Sequence, residues 1–477
     1  MVKQTLHIMK CWKTLIKKSK RLKQFGKRNV IENRINKKLL SFIALCAASL
    51  LSAGELSLIG EVRERFETLD GMNKKAYGDN PRFGQSDDKL LVSRLNFGFQ
   101  YKQNPDIKYR VVGYYADVFG WSLEHDNFKK VSGSDEYWKN PQEDLDFSEL
   151  SVEIKNLAGL SGLSTKIGRQ NNKYGDKRVL GPGSWGNSYG HLWDLAKLSY
   201  KWDKNFIDGF YGFEKDKDKN HLSIVNKHIY EGAGIYSHFA TNKKGAIEPY
   251  VIYRHGLYDG TGNGQNTEQT YTYGARAYEK DLYSFNYDFT YAKGDGNIKH
   301  KEYDAYAYVA KVGYQLKNLP WKPNIVIGQV FASGDDGTDN VNNTFRTTFG
   351  GTDGSLYGRM DIMKWSNLVE NLLEVNLKPA KNMKLKLSYH DFSKDEAKDY
   401  WTYYKVANST NSTDLGQEYD AEFKWQYSKA LQFQAIYAYF NAGDAIKEAA
   451  IATPTKVQSN NAHRLFLQLD YKFSYKM

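Results

Sequence analysis

The chain is 477 residues long, with 67 Lys and Arg against 55 Asp and Glu, a formal charge of +12, two cysteines and 36 tyrosines. Thirteen of the basic residues but one acidic residue, Glu32, precede Gly54, so 54 of each sign remain beyond it. The excess that would suit a phosphate backbone therefore belongs to the leader, which excludes nucleic acid as a partner. Cys11 and Cys46 lie there too, leaving the rest without a disulfide framework.

In the leader, Lys37-Lys38 precede a 15-residue apolar run from Leu39 to Ala53 that closes in small residues. This is the order of parts in a secretory signal peptide, and it is shorter than the about 20 apolar residues of a membrane-spanning helix. Cleavage is expected near Ala53-Gly54, dividing a basic leader and signal peptide (1–53) from an exported domain (54–477). The basic region is long for a signal peptide, so the true translation start is expected downstream of Met1.

Beyond the leader the chain is written in period two. Candidate strands lie near 56–68, 89–102, 106–119, 145–156, 163–170, 191–201, 205–214, 228–239 and 246–255. They continue near 270–278, 282–292, 303–316, 324–333, 366–378, 382–390, 417–427, 431–440 and 462–473, about eighteen in all. In 282–292, Tyr283, Phe285, Tyr287, Phe289 and Tyr291 alternate with Ser284, Asn286, Asp288 and Thr290. Only a strand puts those two sets on opposite faces. Leu95, Phe97 and Phe99 alternate with Arg94, Asn96 and Gly98 in the same way.

Such strands suit either a soluble sandwich with a dry interior or a membrane barrel that shows its apolar face to lipid. Connection lengths decide for the barrel. Short turns at 102–106, 279–281 and 428–430 contrast with long polar loops around 70–88, 120–143, 256–269, 334–360 and 391–416, the asymmetry of outer-membrane barrels. The expected fold is all-β: a transmembrane antiparallel barrel of about 18 strands in a Gram-negative outer membrane. Sixteen to eighteen strands leave room for an aqueous channel.

Selectivity in a channel comes from charges on the wall. On the first strand Leu58, Gly60, Val62 and Phe66 take the lipid face, so Glu61, Arg63, Arg65 and Glu67 point inward, while Glu64 breaks the pattern. Arg94, Lys108 and Arg110 follow on the next two strands. Five cations on three consecutive strands make a basic wall expected to attract anions. Reversing Arg63, Arg65 and Arg110 to Glu is expected to shift bilayer reversal potentials toward cations. Acidic inward positions gather elsewhere: Glu149 and Glu153, then Glu370 and Glu374, then Glu418, Asp420 and Glu422.

A glycine-rich stretch follows the strand at 163–170 and can fold back on itself. It runs Gly168-Arg169-Gln170, Tyr174-Gly175-Asp176, Arg178-Val179-Leu180-Gly181 and Trp185-Gly186-Asn187, followed by His191-Leu192-Trp193-Asp194. This succession resembles the alginate-export family of outer-membrane porins. Gly60-Glu61-Val62-Arg63-Glu64-Arg65-Phe66-Glu67 is similar to that family's first strand, and Asp414 to Asp420 with Phe440-Asn441-Ala442-Gly443-Asp444 to its closing region. The resemblance implies an eighteen-stranded monomeric barrel with an arginine-lined conduit, to which Arg63, Arg65, Arg94 and Arg169 would contribute. The acidic walls depart from the family pattern, as do the residues Ser474 to Met477 after the aromatic strand end.

No cofactor or metal is expected. The ten histidines show no pair at zinc-ligand spacing, and Asp335-Asp336-Gly337-Thr338-Asp339-Asn340 lacks the twelfth-position glutamate of a calcium loop, so it reads as a solvated turn. Lys215 to Asn220 reads as a solvated tip. The favoured function is passive diffusion of small hydrophilic solutes, anions among them. Export of an acidic polysaccharide such as alginate is the alternative, and an outer-membrane enzyme or adhesin on a barrel is a third. Expected partners are outer-membrane lipid and lipopolysaccharide, the barrel-assembly machinery and the solutes, with a monomer favoured over a trimer.

Overall fold

The computed structural model describes residues 54–71, 88–119, 144–181, 183, 185–187, 189–215, 228–257, 268–350, 356–400, 410–452 and 461–477. The signal peptide, most of the 70–88 loop, the 120–143 loop and the charged tip beyond Lys215 lie outside the described residues. The first strands are β1 Glu55–Asp70, β2 Asp88–Lys102, β3 Ile107–Phe119, β4 Asp144–Lys155, β5 Leu163–Gln170 and β6 Trp193–Trp202. Then come β7 Asn205–Lys215, β8 His228–Ala240, β9 Gly245–Gly256, β10 Gln269–Leu282, β11 Phe285–Ile298, β12 Lys301–Gln315 and β13 Asn324–Ala332. The two-residue β14 Val341–Asn342 precedes β15 Leu368–Ala380, β16 Met383–Ser393, β17 Asp414–Gln426, β18 Leu431–Ala442, the helix α1 Asp444–Ala452 and β19 Ala462–Lys476.

Each long strand pairs antiparallel with the next, β13 meeting β15 directly, and β19 returns to β1 from Ser57↔Lys476 to Asp70↔His463. The eighteen long strands thus form a closed antiparallel barrel, and closure removes the edges that lipid could not satisfy. The small β14 runs parallel to β12 at Glu302 and Tyr303. The residues after Phe473 are part of the wall, with Ser474, Tyr475 and Lys476 pairing with Ile59, Leu58 and Ser57.

Alternation works as its period requires. On β2, Leu95, Phe97 and Phe99 are exposed whereas Arg94 and Asn96 are buried. On β1, Arg63, Arg65 and Glu67 are buried, and Glu64 lies on the opposite face with the Ser93 hydroxyl as its donor. On these two strands the apolar face is outside and the polar face inside, the inverse of a soluble sandwich.

One hairpin differs from the expectation. Tyr283, placed by alternation on the apolar face, sits with Ser284 in a two-residue turn; both have positive φ, 53° and 80°, the geometry of a type I′ hairpin. The expected turn at 279–281 is instead the bulged end of β10. Glu279 Oε1 accepts the amides of Lys280 and Asp281 at 2.9 and 3.1 Å, and Asp281 Oδ1 accepts that of Ser284 at 3.1 Å. Carboxylates thus take up donors that the bulge withdraws from the ladder. The turn after β2 is as expected, with Asn104 Oδ1 accepting from Asp106 and Ile107 at 2.9 and 2.8 Å.

A larger difference concerns 334–360, read as an external polar loop. The connection from β13 to β15 buries Phe345, Phe349, Tyr357, Met360, Ile362, Met363 and Trp365. It is joined to the connection from β5 to β6: the Phe349 amide donates to Val179 O at 3.0 Å and the Gly181 amide to Phe349 O at 2.9 Å. Together they pack on inward residues such as Trp193, Phe210 and Phe392, forming one apolar cluster inside the ring of strands.

Candidate functional site: two inward segments on charged walls

The segment after β5 is held chiefly through its backbone. Arg65 Nη1 donates to Trp185 O at 2.7 Å and Arg63 Nη2 to Gly186 O at 2.7 Å. Arg94 reaches Gly186 O at 3.5 Å and lies over the Tyr189 ring. Asn187 Nδ2 donates to the carbonyls of Ser93 and Asp117 at 3.0 and 2.9 Å. Earlier in the segment, Tyr174 stacks on Tyr236 at 4.4 Å and donates to Asp208 at 2.7 Å. Burial, with the Asp208 carboxylate, pushes the Tyr174 phenol up. Burial also opposes charge on Asp176, but Arg178 and Arg276 more than offset it and hold that carboxyl below its usual range.

Carboxylates hold the other segment. The amides of Arg359 and Met360 donate to Asp420 Oδ2 at 3.0 Å and Glu418 Oε1 at 2.7 Å, while the Arg359 guanidinium bonds Glu422. Gly358 makes this approach possible: its φ is +85°, and a Cβ there would lie 2.5 Å from Glu418 Oε1. From β19, Arg464 donates to Met360 O at 2.8 Å and pairs with Glu67 at 3.1 Å. Arg254 holds Thr348 O at 2.7 Å. The two segments meet at Trp185, whose indole lies 4.8 Å from the guanidinium carbon of Arg65 and 5.0 Å from that of Arg359.

The wall residues read from the sequence therefore face inward, but their charges are engaged. Lys108 pairs with Glu153, and Arg110 with Glu149 at 2.8 Å. Arg169 bridges Asp146 and Asp194 at 3.0 and 2.8 Å. Glu370 meets His390 at 2.6 Å, and Glu374 meets Lys386 at 2.5 Å and Lys311 at 3.8 Å. Parity alone shows none of these partners, because each pair joins different strands.

Arg359 and Trp185 sit in non-periodic segments, so parity could not find them; Arg464 was on the polar set of its strand and parity could. Between the segments and the wall lies a cavity of about 300 Å³ lined by Asp176, Arg178, Asp288, Lys311, Arg359, Glu374, Lys386, His390 and Asp420 among others. Excluding His390, those carry four negative and four positive groups. Among the described residues no group of His, Cys, Asp and Glu is arranged to hold a metal ion. Asp335, Asp336 and Asp339 accept amides of their own turn.

Solved structures share the architecture. OccK8 (OprE) of Pseudomonas aeruginosa is 10% identical with a TM-score of 0.56 over 89% of this chain and 98% of that one. OccAB1 of Acinetobacter baumannii is 12% identical with a TM-score of 0.57 over 88% and 97%. At such identity the likeness is one of fold. No curated protein sequence matches the chain. The inward segment after β5, with its arginine-held backbone, falls within a match to the alginate export family over residues 56–460, and the chain belongs to that family.

Proposed function

We propose that the protein is an outer-membrane channel of a Gram-negative bacterium through which small hydrophilic solutes diffuse. The observation that carries this reading is the docking of two connections inside the barrel on charged wall residues of both signs, with a polar cavity between those connections and the strands. An aqueous passage needs polar lining, which eighteen strands can enclose; the inward segments narrow it to small molecules. Among the described residues no local feature favours alginate export. A polyuronate would have to displace both segments and would then meet Glu418, Asp420 and Glu422.

Attraction of anions by the basic wall is reduced, because Arg63 and Arg65 donate to carbonyls and Arg110 is ion-paired. The deciding measurement is single-channel conductance of refolded protein in potassium chloride, acetate, gluconate and an oligouronate. Stable channels that pass chloride and acetate, pass gluconate less well and are closed to the oligouronate are expected. Absence of channels would overturn the reading, and oligouronate passage would favour export.

A further inference from the structure

The short connections between strands carry an unbalanced charge. Each of them, with the strand ends beside it, has at least one exposed lysine, among them Lys102, Lys155, Lys204 and Lys429. In outer-membrane barrels the short turns face the periplasm, so these cations stand on that rim. Three neighbouring turns, β8–β9, β10–β11 and β12–β13, carry Lys243, Lys244, Lys280, Lys317 and Lys322, all exposed. The turns are knit together: the Lys280 amide donates to Lys244 O at 3.3 Å and the Gln315 amide to Ser284 O at 2.8 Å. Their two acidic residues are already engaged. Glu279 is buried and accepts from Asn242 and from the amides of Lys280 and Asp281. Asp281 pairs with Lys244 and with Lys317, the latter at 2.8 Å. Lys243, Lys280 and Lys322 pair with no carboxylate among the described residues.

Large apolar side chains stand among these lysines. Tyr283 is 89% exposed, Trp321 53% and Leu319 50%. Trp321 and Lys322 have φ of 59° and 47°, a conformation that bulky residues resist, and the Trp321 carbonyl accepts the Lys378 amide at 2.7 Å. On the outer wall next to these turns, Tyr314 pairs with Ile325 and Val312 with Ile327, all four exposed. The apolar wall thus begins where the lysines end. An occupant that uses both features needs an anionic head and an apolar tail. A free anion, an acidic polymer or an acidic protein would use the lysines alone. Tryptophan and tyrosine settle at the headgroup level of a membrane, and lysines at its surface favour anionic lipids over neutral ones.

We propose that these three turns bind an anionic glycerophospholipid of the phosphatidylglycerol type in the leaflet facing the periplasm. Its phosphate lies among Lys280, Lys317 and Lys322, and its acyl chains run along Val312, Tyr314, Ile325 and Ile327. The inference needs the barrel but not conduction, so it stands or falls apart from the channel reading.

Native mass spectrometry of the delipidated, detergent-folded protein tests it, with phosphatidylglycerol and phosphatidylethanolamine of identical acyl chains as probes. Phosphatidylglycerol is expected to bind at least fivefold more tightly, and a tenfold excess of its water-soluble headgroup, glycerophosphoglycerol, is expected not to displace it. Replacing the three cations together, Lys280→Gln, Lys317→Gln and Lys322→Gln, is expected to reduce the preference to less than twofold. The matched replacement of Lys102, Lys155 and Lys204 by Gln, on other turns of the same rim, is expected to preserve it. Equal binding of the two lipids, displacement by the free headgroup, or equal loss of preference in both triple variants would overturn the proposal. The comparison of lipids on the unaltered protein decides the matter even if a variant fails to fold.

Discussion

Arg65 shows how one side chain serves two structures. Its guanidinium holds Trp185 O, lies over the Trp185 ring and pairs with Glu67 at 2.5 Å, and Glu67 in turn meets Arg464. Removing one member of a buried charged pair typically costs about 3–5 kcal/mol. Arg65→Ala is therefore expected to lower the thermal midpoint and to raise single-channel conductance as residues 185–187 lose their anchor. A variant of normal conductance would refute the anchoring role. The inward direction of Arg65 was legible from parity, because Phe66 beside it had to face lipid. Its engagement with the backbone of another segment was not, since nothing in the spacing of β1 identifies a carbonyl 120 residues away.

At the scale of elements, the strands follow from period two, and the inward segments do not follow from any period. Phe345, Phe349, Tyr357, Met360 and Trp365 show neither alternation nor a helical stripe, so their burial depends on where the barrel wall stands around them. Gly358 is the point at which this is most exposed to test. An alanine there would need a positive φ, which costs ordinary residues about 1–3 kcal/mol, and its Cβ would meet the Glu418 carboxylate. Gly358→Ala is expected to lift the Arg359–Met360 turn off its carboxylates and increase conductance, with little change in the circular dichroism of the strands. Unaltered conductance would mean that the turn is held by other contacts. The hairpin at Tyr283–Ser284 teaches the complementary lesson: alternation carried the strand one step too far because a tyrosine in a turn looks the same as one on the wall.

For the whole molecule the decisive bond is between the first and last strands. β19 pairs with both β1 and β18, and Phe473 lies over Gly60, where a Cβ would come within 2.2 Å of the ring. Truncation before Ala462 would open two unpaired edges to lipid, each unsatisfied backbone group costing several kcal/mol. The truncated chain is expected to yield no protease-resistant barrel when refolded into detergent, and a resistant barrel would show that seventeen strands can close.

The architecture is written in local pattern: amphipathic strands, about eighteen of them, with the apolar face outward and Arg63, Arg94, Glu418 and Asp420 on the other face. The physical reason is that a strand's two faces are written locally, in every second residue, and lipid leaves no other arrangement for an apolar outer face. What those charges hold depends on contacts between distant parts of the chain. Ion pairs such as Arg464 with Glu67, and the backbone amides of Arg359 and Met360 on Asp420 and Glu418, join residues whose proximity exists only once the sheet has closed. Whether the lumen is open or narrowed is set by those long-range bonds, and no local pattern encodes them.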